Sequence, residues 1–347
     1  MTGSPKIAIV GTGANGASIG ADMVRAGADV TFIEQWPAHV EAMRADGLTV
    51  HLPDETQVTP VKALHLCEVA ELSGAFDIVF TSVKTYDTRW VCELVKPVIN
   101  ERSLVVGLQN GMTIDAMGEI LGADRTGGSV LGIAANMFEP GIVVRQYAPA
   151  ETWIAVGTLD GERTERIEQA AEALAHTAVV ELTGDIRGAK WMKLIANIPE
   201  MLPSAILNVP LLTAVEVPGV REVMDEMTRE AFALATDLGI PMQPIFGKTL
   251  DDVQQSENYA ISLLDAVLEH YSRPDTRVAV LQDWAKGRRA ELDAFSGYIV
   301  DKRRELGGRA PVNEAVLRIA QRIEAGEIAP APANSALLIE AGTAAVR

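Results

Sequence analysis

The hexapeptide Gly11-Thr12-Gly13-Ala14-Asn15-Gly16 limits what this chain can fold into more than any other stretch. The β-branched run over 6–10 reads as a buried parallel strand, and the small-residue run after Gly16 reads as a helix reaching about Arg25. A Gly-x-Gly-x-x-Gly turn between such a strand and helix is the fingerprint of a dinucleotide-binding βαβ unit. Gly11 allows the tight turn, Gly13 lets backbone N–H groups approach a pyrophosphate, and Gly16 permits close helix-to-strand packing. Thr12, Ala14 and Asn15 complete the loop, and the helix N-terminus adds partial positive charge. Gly27 stops the helix and a second strand runs over 29–33 to Glu34 at its tip. An acidic side chain about 20 residues past the glycines accepts hydrogen bonds from the adenosine ribose; otherwise it is a solvated strand-end carboxylate.

A chain of 347 residues suits two domains of roughly 150 each, and 48% hydrophobic with 22% charged residues describes a globular protein with a large core. The net charge of −17 and pI near 4.8 argue against nucleic acid or an anionic membrane surface as partner. Cys67 and Cys92 form no disulfide framework and lack metal-ligand spacing, which suits a reducing compartment and no metal. The first strand follows the N-terminus without room for a signal peptide, and no apolar run reaches the ~18 residues of a membrane span, so a cytoplasmic location is expected.

Residues 48–61 suggest a small hairpin without chemistry. The run 76–83 is another buried strand, with Lys84 at its carboxyl end, and 103–107 leads to Gln109-Asn110-Gly111. Ligands of open α/β sheets lie outside the carboxyl ends of strands, which places Lys84 and Asn110 toward the cofactor cleft, although Asn-Gly is also an ordinary turn. Further strands are expected over 130–135, 142–147, 152–157 and 179–182, with a helix over 162–174. Beyond Thr183-Gly184 the pattern is helical almost throughout. The expected architecture is an α/β Rossmann-type domain with a mainly parallel sheet over 1–183, then an all-α domain over 184–328. An arm over 329–347 follows, irregular on the surface or disordered.

In the first helix of the second domain Lys193 and Asn197 lie four apart and share a face, while Trp191 and Leu194 point into packing. Glu291 offers a carboxylate that can hold such a lysine. Singly these residues read as solvated helix charges. As an ordered set they say more: the glycine loop, Val83-Lys84, Gln109-Asn110-Gly111, Lys190-Trp191-x-Lys193-Leu194-x-x-Asn197 and Ala290-Glu291-Leu292-Asp293 resemble the ketopantoate reductase family. Pro311-Val312-Asn313 and Ile323-Glu324-Ala325-Gly326 resemble its ending. The resemblance reaches about residue 328. It implies substrate and nicotinamide in a cleft between a Rossmann domain and a helical domain, with Lys193 as general acid. Glu291 matches the family's active-site glutamate, and Asn110 and Asn197 match asparagines near the nicotinamide and the lysine. A homodimer is the expected assembly.

Departures from that pattern shape the functional expectation. Many family members carry an arginine after the second strand for the 2′-phosphate of NADP, where this chain has Glu34-Gln35, so NAD is expected over NADP, with Lys84 partly offsetting the repulsion. The family's Asn-Pro beyond the lysine helix asparagine becomes Glu200-Met201-Leu202-Pro203, a serine becomes Ala279 and an asparagine becomes Ser296. A shift of one residue there presents Asn208 instead. The segment 241–280 is longer than usual and carries Tyr259, His270 and Tyr271, either as cover for the cleft or as an ordinary helical pair. The expected activity is hydride transfer between NAD(P)H and a 2-oxo acid or related carbonyl compound, larger or less hydrophilic than ketopantoate. The alternatives are ketopantoate reductase itself, opine-type reductive amination and a non-catalytic nucleotide-binding protein.

Overall fold

The computed structural model describes residues 4–343 apart from 75, 256 and 257. The chain forms two compact units, Met1–Lys190 and Trp191–Arg347. The change of texture expected at 183–184 lies just ahead of a helix, and the units divide within that helix.

The first unit alternates strands and helices: β1 (Lys6–Val10), α1 (Ala14–Arg25), β2 (Asp29–Glu34), α2 (Pro37–Asp46), β3 (Leu48–His51), β4 (Thr56–Thr59), β5 (Lys62–His65), β6 (Phe76–Thr81), α3 (Thr88–Val95), β7 (Ile99–Gly107), α4 (Ile114–Leu121), β8 (Thr126–Gly132), β9 (Ala135–Glu139), β10 (Ile142–Arg145), β11 (Trp153–Thr158), α5 (Glu165–Leu174) and β12 (Val179–Leu182). Its main sheet runs in the order β12-β11-β8-β7-β6-β1-β2-β5 and is parallel except between β8 and β11. Alternate residues of one strand feed different cores. Ile7 and Ile9 join the cluster that includes residues of α1 and α5, while Ala8 and Val10 join the one with residues of α3 and α4. That is why β1 reads as an unbroken apolar run: both faces of a parallel strand are covered.

The 48–61 hairpin exists as β3 and β4, but it belongs to a second sheet, β4-β3-β10-β9, which packs on α1. The strand expected over 142–147 is thus removed from the main sheet, and β9 and β5 were not anticipated. Periodicity marks a strand without naming its partner, and β10 pairs with β3 across about ninety residues of chain. Arg145, at the end of β10, is fully buried and pins this sheet down. Its guanidinium donates to Asp22 Oδ2 (2.6 Å), to Thr177 Oγ1 (2.9 Å) and carbonyl (2.6 Å), and to Thr152 Oγ1 (2.8 Å). Arg145→Ala leaves the buried Asp22 with only the longer contact of the exposed Arg25 (3.7 Å), so the first unit should lose about 3–5 kcal/mol of stability, read as a lower urea midpoint.

Helix α6 (Ile186–Leu207) leads into the second unit, which continues with α7 (Leu211–Glu216), α8 (Val220–Asp237), α9 (Leu250–Gln255), α10 (Tyr259–His270), α11 (Ala279–Ala285), α12 (Ser296–Glu305), α13 (Pro311–Glu324) and α14 (Ser335–Gly342). Helix α8 is central, packing on α10, α12, α13 and α14. The arm is not irregular throughout: Leu338 and Ala341, three apart on α14, are buried, and Asn334 ties its start to the Ile206 carbonyl. Asn208 is exposed in a left-handed conformation (φ 56°) just past α6, where it serves as a helix stop. Among the described residues no helix is long and apolar enough to cross a membrane.

Candidate active site

In the first unit the glycine loop is built by close approach. Gly11 has φ +85°, and a Cβ there would come within 2.5 Å of Val83 Cγ1 and 2.8 Å of the Ser82 carbonyl oxygen. A Cβ at Gly16 would overlap the Gly11 carbonyl oxygen. Gly13 differs, because a Cβ there would meet nothing within 4 Å and no side chain caps α1 at this position. The first N–H groups of α1, from Ala14 onward, are thus available to an anion at a helix N-terminus. Asn15 Oδ1 is buried and has no hydrogen-bond partner among the described residues, leaving an acceptor for a ligand hydroxyl or amide. These features fit a dinucleotide.

Glu34 is buried, not solvated. Its Oε2 accepts from the Thr12 N–H (2.7 Å) and hydroxyl (3.0 Å), and its Oε1 accepts from the N–H groups of Gln35 and Trp36 (both 2.9 Å). Four donors hold one negative charge where the tip of β2 meets the glycine loop. His39 secures the loop from the other side, its Nε2–H donating to the Thr12 carbonyl (2.8 Å) and its Nδ1 accepting from the Gly141 N–H (2.8 Å). Burial pushes the imidazole below its usual pKa, which favours this neutral tautomer.

Lys84 and Asn110, both half-buried, follow β6 and β7 and are linked through Gln109. The Gln109 side chain donates to the Val83 carbonyl (2.8 Å) and the Thr88 hydroxyl (2.9 Å), and the backbone carbonyl of Gln109 accepts from Lys190 Nζ (2.8 Å). Lys190 is buried, and loss of hydration lowers its pKa from the ordinary 10.5 to about 7, partly opposed by Asp115. The sequence offered both residues only as letters of a motif; burial of a lysine in this helix is what reveals their positioning role. The unfolded chain binds this proton more tightly than the folded one, so the lysine's penalty is full below about 7 and disappears by about 10.5. The stability difference between Lys190→Met and the parent should therefore shrink as pH rises through that window, measured by urea unfolding at a series of pH values.

In the second unit Lys193, Asn197 and Glu200 share one face of α6 at i, i+4 and i+7. Lys193 Nζ lies 4.0 Å from Glu200 Oε1, with the side chains 14% and 7% exposed. Burial lowers the lysine's pKa, opposed by Glu200, and raises the carboxyl to about 7, opposed by Lys193. Both polar atoms of the Asn197 amide are buried without a hydrogen-bond partner among the described residues, as is the Ser296 hydroxyl. Trp191 and Leu194 are buried in packing, with Trp191 edge-on to Tyr298.

A third feature stands over the lysine. The Phe246 ring centroid is 5.0 Å from Lys193 Nζ, and the Tyr271 ring packs 4.7 Å behind it. Phe246 has φ 60°, a costly conformation for an aromatic residue, and Tyr259 steadies its loop by donating to the Gln243 carbonyl (2.9 Å). His270 is exposed beside Glu269. Of the three residues singled out in 241–280, two support the aromatic cover and one faces outward. Glu291 is buried at the start of the 3-10 turn Leu292–Ala294, while the ion pair of Lys193 is made with Glu200. Sequence reading missed Glu200 as a site residue, although its spacing from Lys193 and Asn197 was visible. It had no means of finding Phe246, whose place depends on a loop.

Residues 7–159 match the family model described as Ketopantoate reductase PanE/ApbA, and residues 185–324 match its C-terminal counterpart. A 2-dehydropantoate 2-reductase from Mesorhizobium japonicum is 27% identical over 340 residues, covering 92% of this chain and 97% of that protein. The crystal structure of a PanE/ApbA family ketopantoate reductase from Ralstonia eutropha superposes with a TM-score of 0.78 at 28% identity, over 93% of this chain and 99% of that one. In fold, the chain also resembles D-mandelate dehydrogenase, solved with NADH and anilino(oxo)acetate, with a TM-score of 0.80 at 18% identity over 92% of this chain and 98% of that one. The two family matches follow each other along the chain as its α/β and helical parts do, and the chain belongs to the ketopantoate reductase family, as an NAD(P)-dependent oxidoreductase acting on a CH–OH/C=O pair.

Proposed function

We propose that this enzyme uses NADH to reduce a 2-oxo acid whose side chain is larger or less hydrophilic than that of ketopantoate, with Lys193 as the proton donor. The observation that carries the reading is the buried face of α6, where an ammonium stands one turn from an asparagine amide with no partner of its own. Buried polar groups are normally paired, so an unpaired amide beside a lysine suits a ligand that completes it. When hydride adds to a ketone carbon, charge grows on oxygen. A positioned ammonium stabilises that charge and delivers a proton, and the Asn197 N–H donates to the same ligand. Glu291 and Asn110 keep the roles the family resemblance implies, holding the active-site hydrogen bonds and the nicotinamide end.

On the cofactor side, Gly11 to Gly16 and the N-terminus of α1 hold the pyrophosphate, Glu34 stands at the adenosine ribose, and Lys84 lies toward the cleft. Once bound, the nicotinamide supplies the hydride; the protein supplies placement and charge. Catalysis on this reading needs the cofactor's reactive end and Lys193 at one carbonyl, and an activity measurement reads whether they meet. The solved D-mandelate dehydrogenase with NADH gives precedent for NADH in this fold. The free thiols of Cys67 and Cys92 suit a cytoplasmic enzyme, and a homodimer is its proposed form.

Initial rates of NADH and NADPH oxidation with a panel of 2-oxo acids test the proposal. A 2′-phosphate beside the fixed Glu34 carboxylate meets like charge, which costs several kcal/mol, so kcat/KM should favour NADH by about a hundredfold. Equal or better efficiency with NADPH removes Glu34 from the ribose site, and no turnover with any member of the panel removes the substrate class.

A further inference from the structure

Glu200 stands where the family pattern holds no acid, yet it is the carboxylate set against the proposed proton donor. We infer that Glu200 is the counter-ion that keeps the proton on Lys193, a positioning residue that acts on the reaction only through the lysine. The inference rests on the reading of Lys193 as proton donor.

Three observations support it. Between Lys193 and the end of α6 at Leu207, Lys193 and Glu200 are the only ionisable residues, and seven positions of helix bring them to the same face. Glu200 is buried and Lys193 is 14% exposed, and two uncharged groups lie close by: the Phe246 ring at 5.0 Å from the ammonium and the Asn197 amide one turn away. Among the described residues the charge acting on Lys193 is that of Glu200, and the charge acting on Glu200 is that of Lys193.

A buried ammonium without a counter-charge gives up its proton, and a neutral amine cannot act as the acid in carbonyl reduction. An opposite charge within about 4–6 Å restores 1–3 pKa units to the charged form. Above about 7, where the Glu200 carboxyl itself ionises, the pair carries one positive and one negative charge. The ammonium therefore persists into the neutral and mildly basic range where an unpaired lysine at this depth would be lost.

The direct test reads the lysine rather than turnover. Competitive labelling with acetic anhydride across a pH series, with the Lys193 peptide quantified by mass spectrometry, gives the lysine's apparent pKa in the full-length protein. In Glu200→Gln, which keeps shape and removes charge, that pKa should fall by about 1–3 units. Glu200→Asp, one methylene shorter, should fall between. The basic limb of kcat/KM for the best 2-oxo acid in the panel should move the same way, with the KM for NADH unchanged. Should Glu200→Gln fail to fold, Glu200→Asp carries the measurement. An unchanged Lys193 pKa in the variant that folds overturns the inference, whatever the activity. A lowered pKa in an enzyme that tolerates Lys193→Ala leaves the pairing intact and overturns the function assigned to the lysine instead.

Discussion

Lys193→Ala should lower kcat for 2-oxo acid reduction by about 10²–10⁴, the usual scale for losing a general acid, while NADH binds with nearly the same affinity. The separation of the two effects follows from where the residues sit in the chain. The proposed cofactor residues Gly11 to Gly16, Glu34, Lys84 and Asn110 all belong to the first unit, and Lys193 belongs to the second. Truncation also leaves Glu200 buried without its cation. A carboxyl so placed takes up a proton at neutral pH rather than remain an unpaired charge, so the variant should fold and present a neutral, inert site. Lys193→Met, which refills the volume, should show the same loss of turnover with stability closer to that of the parent. Fluorescence titration with NADH and steady-state rates measure the two quantities on one preparation. A Lys193→Ala enzyme with parental kcat contradicts the assignment, and a variant that no longer binds NADH shows damage beyond the acid.

The second large effect concerns substrate choice. Ketopantoate should be reduced with a kcat/KM roughly one to four orders of magnitude below that of a 2-oxo acid carrying an aryl or bulky alkyl group. Met201 or Leu202, both buried on the lysine's helix, stands where the family pattern places an asparagine, and Ala279, which opens α11, stands where it places a serine. A polar substrate group facing such a side chain loses its water without gaining a partner, at about 1–3 kcal/mol for each group. Two such losses, at tenfold per ~1.4 kcal/mol, span the stated range. Asn208, which a shifted register would have offered as a replacement, lies outside the helix in an exposed turn. The Phe246 ring beside Lys193, backed by Tyr271, gives an aryl group a stacking surface worth about 0.5–1.5 kcal/mol beyond area burial. Measured side by side with NADH, phenylglyoxylate and ketopantoate decide the matter, and ketopantoate turnover at the higher efficiency reverses the conclusion. Phe246→Ala should narrow the gap by weakening the aryl substrate alone.

How much of this was legible before the structure depended on how far along the chain each cause lay. The strand, turn and helix around Gly11 to Gly16 are specified by adjacent residues, through steric limits on φ and the apolar run of a strand covered on both faces, so their places could be read directly. Lys193 and Asn197 on one face of a helix followed from the 3.6-residue period alone. The same period would have brought in Glu200, but spacing does not say whether a lysine and a glutamate face solvent or core. That was settled by burial, which turns an ordinary pair of surface charges into one whose pKa values are displaced toward neutrality. Glu34 makes the same point in the first unit: its position past the glycines was plain, whereas its four donors were supplied by folding the β2 tip onto Thr12.

The sequence by itself determined the order of an α/β part and a helical part, the glycine loop between β1 and α1, and the helix that carries Lys193. Tertiary structure alone decided that β9 and β10 leave the main sheet to pair beside β3, that Lys190 holds the carbonyl of Gln109, that residues 335–342 form a packed helix, and that Phe246 lies over the lysine. The dividing line is physical. Helical period and turn geometry act between residues a few positions apart, whereas strand partners, burial of charge and the course of a long loop are fixed by contacts between residues tens of positions apart, for which local preference carries no information.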